Sequence, residues 1–317
     1  MNNIKLSIII CTYNRSRLLK KCLDSLLPQI LEGIEIIIID NLSSDDTNQV
    51  VSEYTSKYIN IRYFFEPITG LSHARNRGIK EAKADWILYL DDDVIVFDDF
   101  IERALYLTTL DQFDCIGGNY IGYVEKNRPF WLPKKFESYI GGINQLSECS
   151  FITPIGCNVL YRKQSIIDVG HFDPTYGMKG KVTGYGDETE LQYRLEKNGF
   201  KIGFDPLLKV YHVIREDKLL LKWHLHSSFA HGRDSNFYFR WSPEKILLKN
   251  LGSFIALIFK RIPLNLLKMA ISENFRWQNF IIDSLHPNLF YLGSLTKLFS
   301  DIKTDPPYDK DRTIRLS

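Results

Sequence analysis

The sequence predicts an α/β protein: a mostly parallel central sheet flanked by helices, followed by a helical C-terminal extension. Two short runs, Leu6–Cys11 and Ile34–Ile39, are rich in β-branched residues and largely apolar, as in strands buried on both faces. Between them Leu18, Leu19, Cys22, Leu23, Leu26 and Leu27 recur at helical spacing. The alternation strand, helix, strand, helix continues to about residue 90, which calls for parallel pairing with helices on both faces.

Each element has its own signals. Pro28 ends the first helix. Asp40-Asn41 stops the second strand, and Ser43-Ser44-Asp45-Asp46 supplies capping residues for the next helix. Ile61–Phe65 reads as a third strand, 71–83 as a helix and Trp86–Leu90 as a fourth strand. From about 111, Gly117-Gly118, Pro129, Pro133 and Gly141-Gly142 punctuate shorter pieces, the expected acceptor side of a cleft, and residues 120–183 carry no decodable motif. A helix is expected after Asp187 and strands at 201–204 and 208–213, rejoining the sheet. The organisation expected is an α/β domain over 1–215, in halves that meet at about 110, then a helical extension over 216–317.

Composition narrows the class. Hydrophobic residues make up 44% and charged residues 25%, a globular profile rather than a disordered one. A formal net charge of +2 gives no support for a nucleic-acid partner. The five cysteines form no Cys-x-x-Cys pair, and the N-terminal stretch is too short for a secretory h-region, so a cytoplasmic, reduced setting is expected. The apolar run Leu251–Phe259 is cut by Lys260 and Arg261, well short of the roughly 20 residues of a membrane span.

In open α/β sheets ligands bind beyond the carboxyl ends of the strands. The residues there are Thr12-Tyr13-Asn14, Asp40 and Asp91-Asp92-Asp93. Alternate positions on an extended chain share a side, so Asp91 and Asp93 face one site and Asp92 turns away. Two such carboxylates suit Mg²⁺ or Mn²⁺, although an acidic helix-capping turn explains them equally well. Asp40 is read either as a partner for a base or ribose, or as an Asx-turn. Arg75 sits near a helix start, where it can meet a diphosphate or simply coat an amphipathic helix. In Gly186-Asp187-Glu188, either acid can cap a helix or act as a general base. His212 ends a strand and can join a carboxylate metal site.

Taken together, SIIICTYNR at 7–15, Asp40, GLSHARNRGI, WILYLDDDV and GDETELQYRL occur in one order that closely resembles family 2 glycosyltransferases, inverting enzymes of GT-A fold, over about residues 5–213. The resemblance implies that Thr12, Tyr13 and Asn14 pack around a nucleotide and that Asp40 recognises its base, uracil in many members. It implies that Arg75 approaches the donor diphosphate. Asp91 and Asp93 match the outer Asp-x-Asp positions, Asp93 as principal metal ligand, with Asp92 between them in the donor-binding motif. His212 resembles a histidine placed beside the metal. Glu188 aligns with the catalytic base, but this chain reads Asp-Glu where the family commonly reads Glu-Asp, so Asp187 stays a candidate. Neighbours at a helix start diverge by about 100°, which argues against both reaching one hydroxyl.

The implied reaction is metal-dependent transfer from a nucleotide-sugar to a glycan or lipid-linked acceptor. Sugar nucleotidyl transfer is nearer in fold than glycoside hydrolysis, but it favours a glycine-rich loop where this chain has Cys11-Thr12-Tyr13-Asn14-Arg15. A non-catalytic glycan-assembly protein is the further alternative. Residues 245–271 interleave aliphatics with lysines. They suit peripheral contact with the inner face of an anionic membrane, or helices packed on the catalytic domain or in a homo-oligomer.

Overall fold

The computed structural model describes residues 4–133, 138–139, 143–151, 156–235 and 242–301, the backbone alone for 138–139 and 297–301. The expected Gly141-Gly142 punctuation lies outside the described residues. The first half alternates as the periodicities require: β1 (Leu6–Thr12), α1 (Ser16–Leu26), β2 (Ile34–Asp40), α2 (Thr47–Thr55), β3 (Ile61–Phe65), α3 (Leu71–Glu81) and β4 (Trp86–Leu90). There follow β5 (Val94–Val96), α4 (Phe100–Thr108), β6 (Cys115–Tyr123), β7 (Ser138–Tyr139), β8 (Ser147–Glu148), β9 (Asn158–Arg162), α5 (Lys163–Asp168), α6 (Asp187–Lys197) and β10 (Ile202–Val213).

The sheet order is β3-β2-β1-β4-β9-β6-β10-β5, with β7 on β6 and β8 on β10. It is parallel from β3 to β4, and Thr12 lies level with Asp40. Beyond β4 it is mixed, because β9 runs antiparallel to both β4 and β6. Burial on both faces shows in the alternation along β1: Ile8 and Ile10 join one core, Ile9 the other. On the first side Leu19, Cys22, Leu23 and Leu26 of α1 cover the sheet. On the second, Gly78 of α3 lets Ile9 approach so closely that a methyl at Gly78 would lie 2.5 Å from its Cγ2.

Two expected strands at 201–204 and 208–213 are one strand, β10, with a register shift between Asp205 and Lys209. Pro206 in the shift has no N–H to give a ladder, so the irregularity falls there. Asn158 repairs it, its Nδ2 donating to the Leu208 carbonyl at 2.9 Å.

The chain divides into two compact units, Met1–Leu219 and Leu220–Ser317. The second is helical: α7 (Leu221–Asp234), α8 (Pro243–Ala256), a π-turn over Leu257–Arg261, α9 (Ile262–Ile271) and α10 (Trp277–Asp301). Helices α7 and α10 touch backbone to backbone, since a methyl at Gly232 would meet the Phe290 carbonyl oxygen at 1.8 Å. Among the described residues no helix is long and apolar enough to cross a membrane.

Candidate active site

Three strand ends of the first unit, with the start of α6 and the end of β10, gather the polar residues. Asn14, with φ 52°, turns the chain after β1. Its Oδ1 accepts from the Ser44 N–H at 2.6 Å and the Asp45 N–H at 3.2 Å. Asp45 accepts in turn from the Ser16 N–H at 2.9 Å and the Thr47 N–H at 3.1 Å, so one carboxylate caps two helices. The two turns facing the cleft are therefore locked together. Asn14 is built into that lock rather than turned outward, while Tyr13 lies half-buried beside Gly180.

Asp40 takes the turn-forming arrangement. It is 2% exposed, and its oxygens accept from the Ser43 N–H and the Tyr63 hydroxyl, each at 2.8 Å. Burial and the adjacent Asp40 charge raise the Tyr63 phenol above its ordinary pKa.

The three aspartates part company as alternation requires. Asp92 is buried and held by Thr12 Oγ1 at 2.8 Å and Arg15 Nη1 at 2.7 Å. Asp91, Asp93 and His212 offer ligand atoms all within 4.8 Å of one another. Asp93 is 2% exposed. The His212 Nε2 stands 3.2 Å from its Oδ1, yet that oxygen has no hydrogen-bond partner in alignment. Lys218 Nζ stands 3.7 Å from Oδ2. Burial opposes the charge on Asp93, but His212 and Lys218 outweigh it and hold the carboxyl well below its ordinary range. Asp91, by contrast, is raised by burial and by the neighbouring Asp93 charge. An orphaned, ionised carboxylate oxygen beside a second carboxylate and an imidazole is the donor set a divalent cation satisfies, so these residues fit the implied metal.

Arg75 is 3% exposed, with the Tyr89 and Phe172 rings 5.7 and 5.3 Å from its guanidinium carbon. One terminal nitrogen pairs with Asp187 and the other with Glu188, and the latter lies 3.8 Å from Asp91. Asp187 and Glu188 thus share one guanidinium, each on its own terminal nitrogen. Burial drives the Glu188 carboxyl up to about 8, with Arg75 pulling the other way and Asp187 adding to the rise. Gly156 makes room for it, since a Cβ there would lie 3.3 Å from Glu188 Oε2. Glu190 is occupied elsewhere, paired with Arg194 at 2.6 Å.

Sequence reasoning passed over Arg15 and Lys218. Arg15 stood inside the quoted first motif and Lys218 just past the expected domain end, and neither has a local signal for its aspartate partner. Arg15 also lines a cavity of about 530 Å³ with Lys126 and Arg215.

With this geometry in place, comparison with known proteins gives the class. Residues 7–170, just over half of the chain, match the glycosyl transferase family 2 profile, and the chain belongs to that family. Among its relatives, glycosyltransferase GlyA of Streptococcus pneumoniae is 30% identical over 135 residues, covering 43% of this chain and 19% of GlyA. The glucosyl-dolichyl phosphate glucuronosyltransferase of Haloferax volcanii is 22% identical over 242 residues, covering 72% of this chain and 75% of that one. The chain spans less than half of several relatives it matches, 37% of Bacillus subtilis EpsJ for example. In fold it is similar to the Pyrobaculum calidifontis mannosyltransferase PcManGT, solved with GDP-Man and Mn²⁺, at TM-score 0.64 and 12% identity over 95% of this chain and 90% of that chain. It is also similar to residues 1–349 of Staphylococcus aureus TarS with UDP-GlcNAc, at TM-score 0.53 and 16% identity over 94% and 92%. These neighbours share the GT-A architecture expected from the motifs.

Proposed function

We propose that this chain moves a glycosyl group from a nucleotide-diphospho-sugar, a UDP-sugar first among them, to an acceptor hydroxyl in glycan or polysaccharide synthesis, with inversion. The observation that carries the reading is the bridge made by Arg75. It ties the Asp187–Glu188 pair at the start of α6 to the Asp91–Asp93–His212 group at the ends of β4 and β10. A base and a cation-binding set therefore share one cleft. Solved neighbours holding nucleotide-sugars, one with Mn²⁺, support the same reading.

Glu188 takes the proton of the acceptor hydroxyl as its oxygen attacks the anomeric carbon. The bond from that carbon to the phosphate oxygen breaks, and its electrons leave with the diphosphate. A carboxylate whose proton affinity is raised toward the working pH is a better base than a solvated one. Arg75 positions it. Mn²⁺ or Mg²⁺ held by Asp93, Asp91 and His212 would stabilise the charge growing on the departing diphosphate. Asp92 braces this group from behind through Arg15 and Thr12. The β1 turn, with Tyr13, and Asp40 flank the nucleotide, the half up to about residue 110 presenting the donor and 111–215 the acceptor.

The test is a panel of UDP- and GDP-sugars with Mn²⁺, reading nucleoside diphosphate release and the anomeric configuration of the product. Release with inversion, lost in Glu188→Gln, is expected. Pyrophosphate formed from a nucleoside triphosphate and a sugar phosphate would make the chain a nucleotidyltransferase. Donor binding without turnover across donors and acceptors would make it a non-catalytic assembly protein.

A further inference from the structure

The second unit is built inside-out. In helices of a water-exposed protein the apolar stripe faces the core and the polar face meets water. Along α8 the reverse holds. At 100° per residue Leu247, Leu248, Leu251, Phe254 and Ile255 share an arc of about 120°, and all five are exposed. The opposite side carries Asn250 and Ser253, with Ile246 as its one large buried aliphatic. In α9 the buried residue is Asn265, while Leu266, Leu267 and Ile271 stand out.

Hydrogen bonds between side chains link the helices on the inner side. Arg261 donates to the Ser284 carbonyl at 3.2 Å, to Asn288 Oδ1 and to Ser253 Oγ at 2.9 Å. Asn265 Nδ2 donates to Ser284 Oγ at 3.0 Å. These bonds fix which side faces in, so the apolar side cannot simply roll inward. Phe259 at 76%, Ile271 at 74% and Leu248 at 67% exposure are held outward by the hydrogen bonding behind them.

We infer that this face is the seat for the surface of an anionic lipid bilayer, with α8 and α9 lying in the interface. The charge pattern selects this occupant. Apart from Arg261, which is engaged in the interior, residues 243–276 carry five basic residues, Lys245, Lys249, Lys260, Lys268 and Arg276, against two acidic ones, Glu244 and Glu273. Lys245 lies about 60° outside the apolar arc, where its stem can run along the hydrocarbon and its ammonium reach headgroup phosphates, while Lys249 stands on the opposite side. Exposed Trp277 follows at the start of α10, a residue suited to the boundary between headgroups and tails. A second copy of the chain fits less well, since a two-fold contact lays the same patch on itself and sets lysines against lysines. The helices lie on the bilayer rather than through it. No described helix is both long and apolar enough to cross the hydrocarbon layer.

Flotation of the full chain with vesicles of neutral phosphatidylcholine, or of phosphatidylcholine mixed with phosphatidylglycerol, tests this. The chain is expected to float with the anionic vesicles and far less with the neutral ones, and high salt should weaken binding. The pair Leu248→Glu and Phe259→Glu should lower the bound fraction at least tenfold, with the unfolding temperature and donor hydrolysis unchanged. Lys245→Glu with Lys260→Glu should remove the preference for anionic lipid. Sedimentation of the same proteins reads the rival occupant. No flotation on anionic vesicles, with a concentration-dependent dimer abolished by the Leu248 and Phe259 changes, overturns the proposal in favour of a second copy. No flotation and no dimer overturns it outright. Because donor hydrolysis is followed separately, failure of the membrane proposal and failure of the catalytic one are told apart.

Discussion

The two units solve the same problem in opposite ways. In Met1–Leu219 two apolar cores sandwich the sheet, and polar groups collect at its strand ends, where Arg75, Asp93 and Glu188 share one network. In Leu220–Ser317 hydrogen-bonded serine, asparagine and arginine side chains hold helices together, and aliphatic side chains face out. Burial alone does not define a core; what lies on the other side of the surface does. The first unit buries its aliphatic residues, and the second turns many of its own to the surface.

The contrast is sharpest at the site, where the largest effects are expected. Glu188→Gln should lower transfer by about 10²–10⁴ with donor binding kept. EDTA should abolish transfer and Mn²⁺ restore it; full activity in EDTA removes the cation from the reading. Asp187→Asn should cost less than Glu188→Gln, and the reverse order swaps the two roles.

The pH response of the same residue has a defined sign. Glu188 is a carboxyl whose folded pKa, about 8, lies above its ordinary 4.5, so the folded chain keeps a proton the unfolded chain has lost. The stability this gives is full below about 4.5 and is lost as pH rises through about 8. In EDTA, the parent should lose thermal stability relative to Glu188→Gln between these limits. Activity needs the ionised form, so kcat/KM should climb with pH on a limb that ends at or below about 8 when a cation adds its charge.

Next come the interiors. Ile9→Ala, fully buried in the first unit, should cost about 2–5 kcal/mol. In the second unit Arg261→Leu should cost about 1–3 kcal/mol by removing the donor to Asn288 Oδ1 and to the Ser253 and Ser284 carbonyls, although it adds apolar surface. Phe259→Gln should stay within about 0.5 kcal/mol in the absence of lipid. Denaturant unfolding of each variant checks the set, and a costly Phe259→Gln would mean its ring is packed. Asp45→Ala is expected to remove about 1 kcal/mol by uncapping α1 and α2 together.

What the sequence revealed follows from how far apart interacting residues lie. Strands β1 to β4 and the helices between them were legible because their periodicities are local. The antiparallel insertion of β9 and the single β10 were not, since they depend on pairing with distant partners. The Asp91–Asp93 alternation was readable from three consecutive residues. The grip of Arg75 on Asp187 spans 112 positions and leaves no trace in either segment. Asp40 had two readings, and only Tyr63 and Ser43 show that its oxygens are already engaged. For 245–271 the mixture of lysine and aliphatic residues was plain, but a helical wheel gives relative angles and not which side faces in.

The way β10 ends has a consequence for how the cation set behaves. Val213 N–H donates to the Asp93 carbonyl at 2.7 Å, and His212 lies level with Val94 on β5. Asp91 is tied separately, its N–H on the Cys157 carbonyl at 3.0 Å. Asp93 and His212 are therefore mounted on a common ladder, as two teeth of one comb, and Asp91 on the neighbouring one. Such a set is assembled before any ion arrives, so gain and loss of the ion should be an equilibrium at a standing site, quick to reverse and leaving the backbone in place.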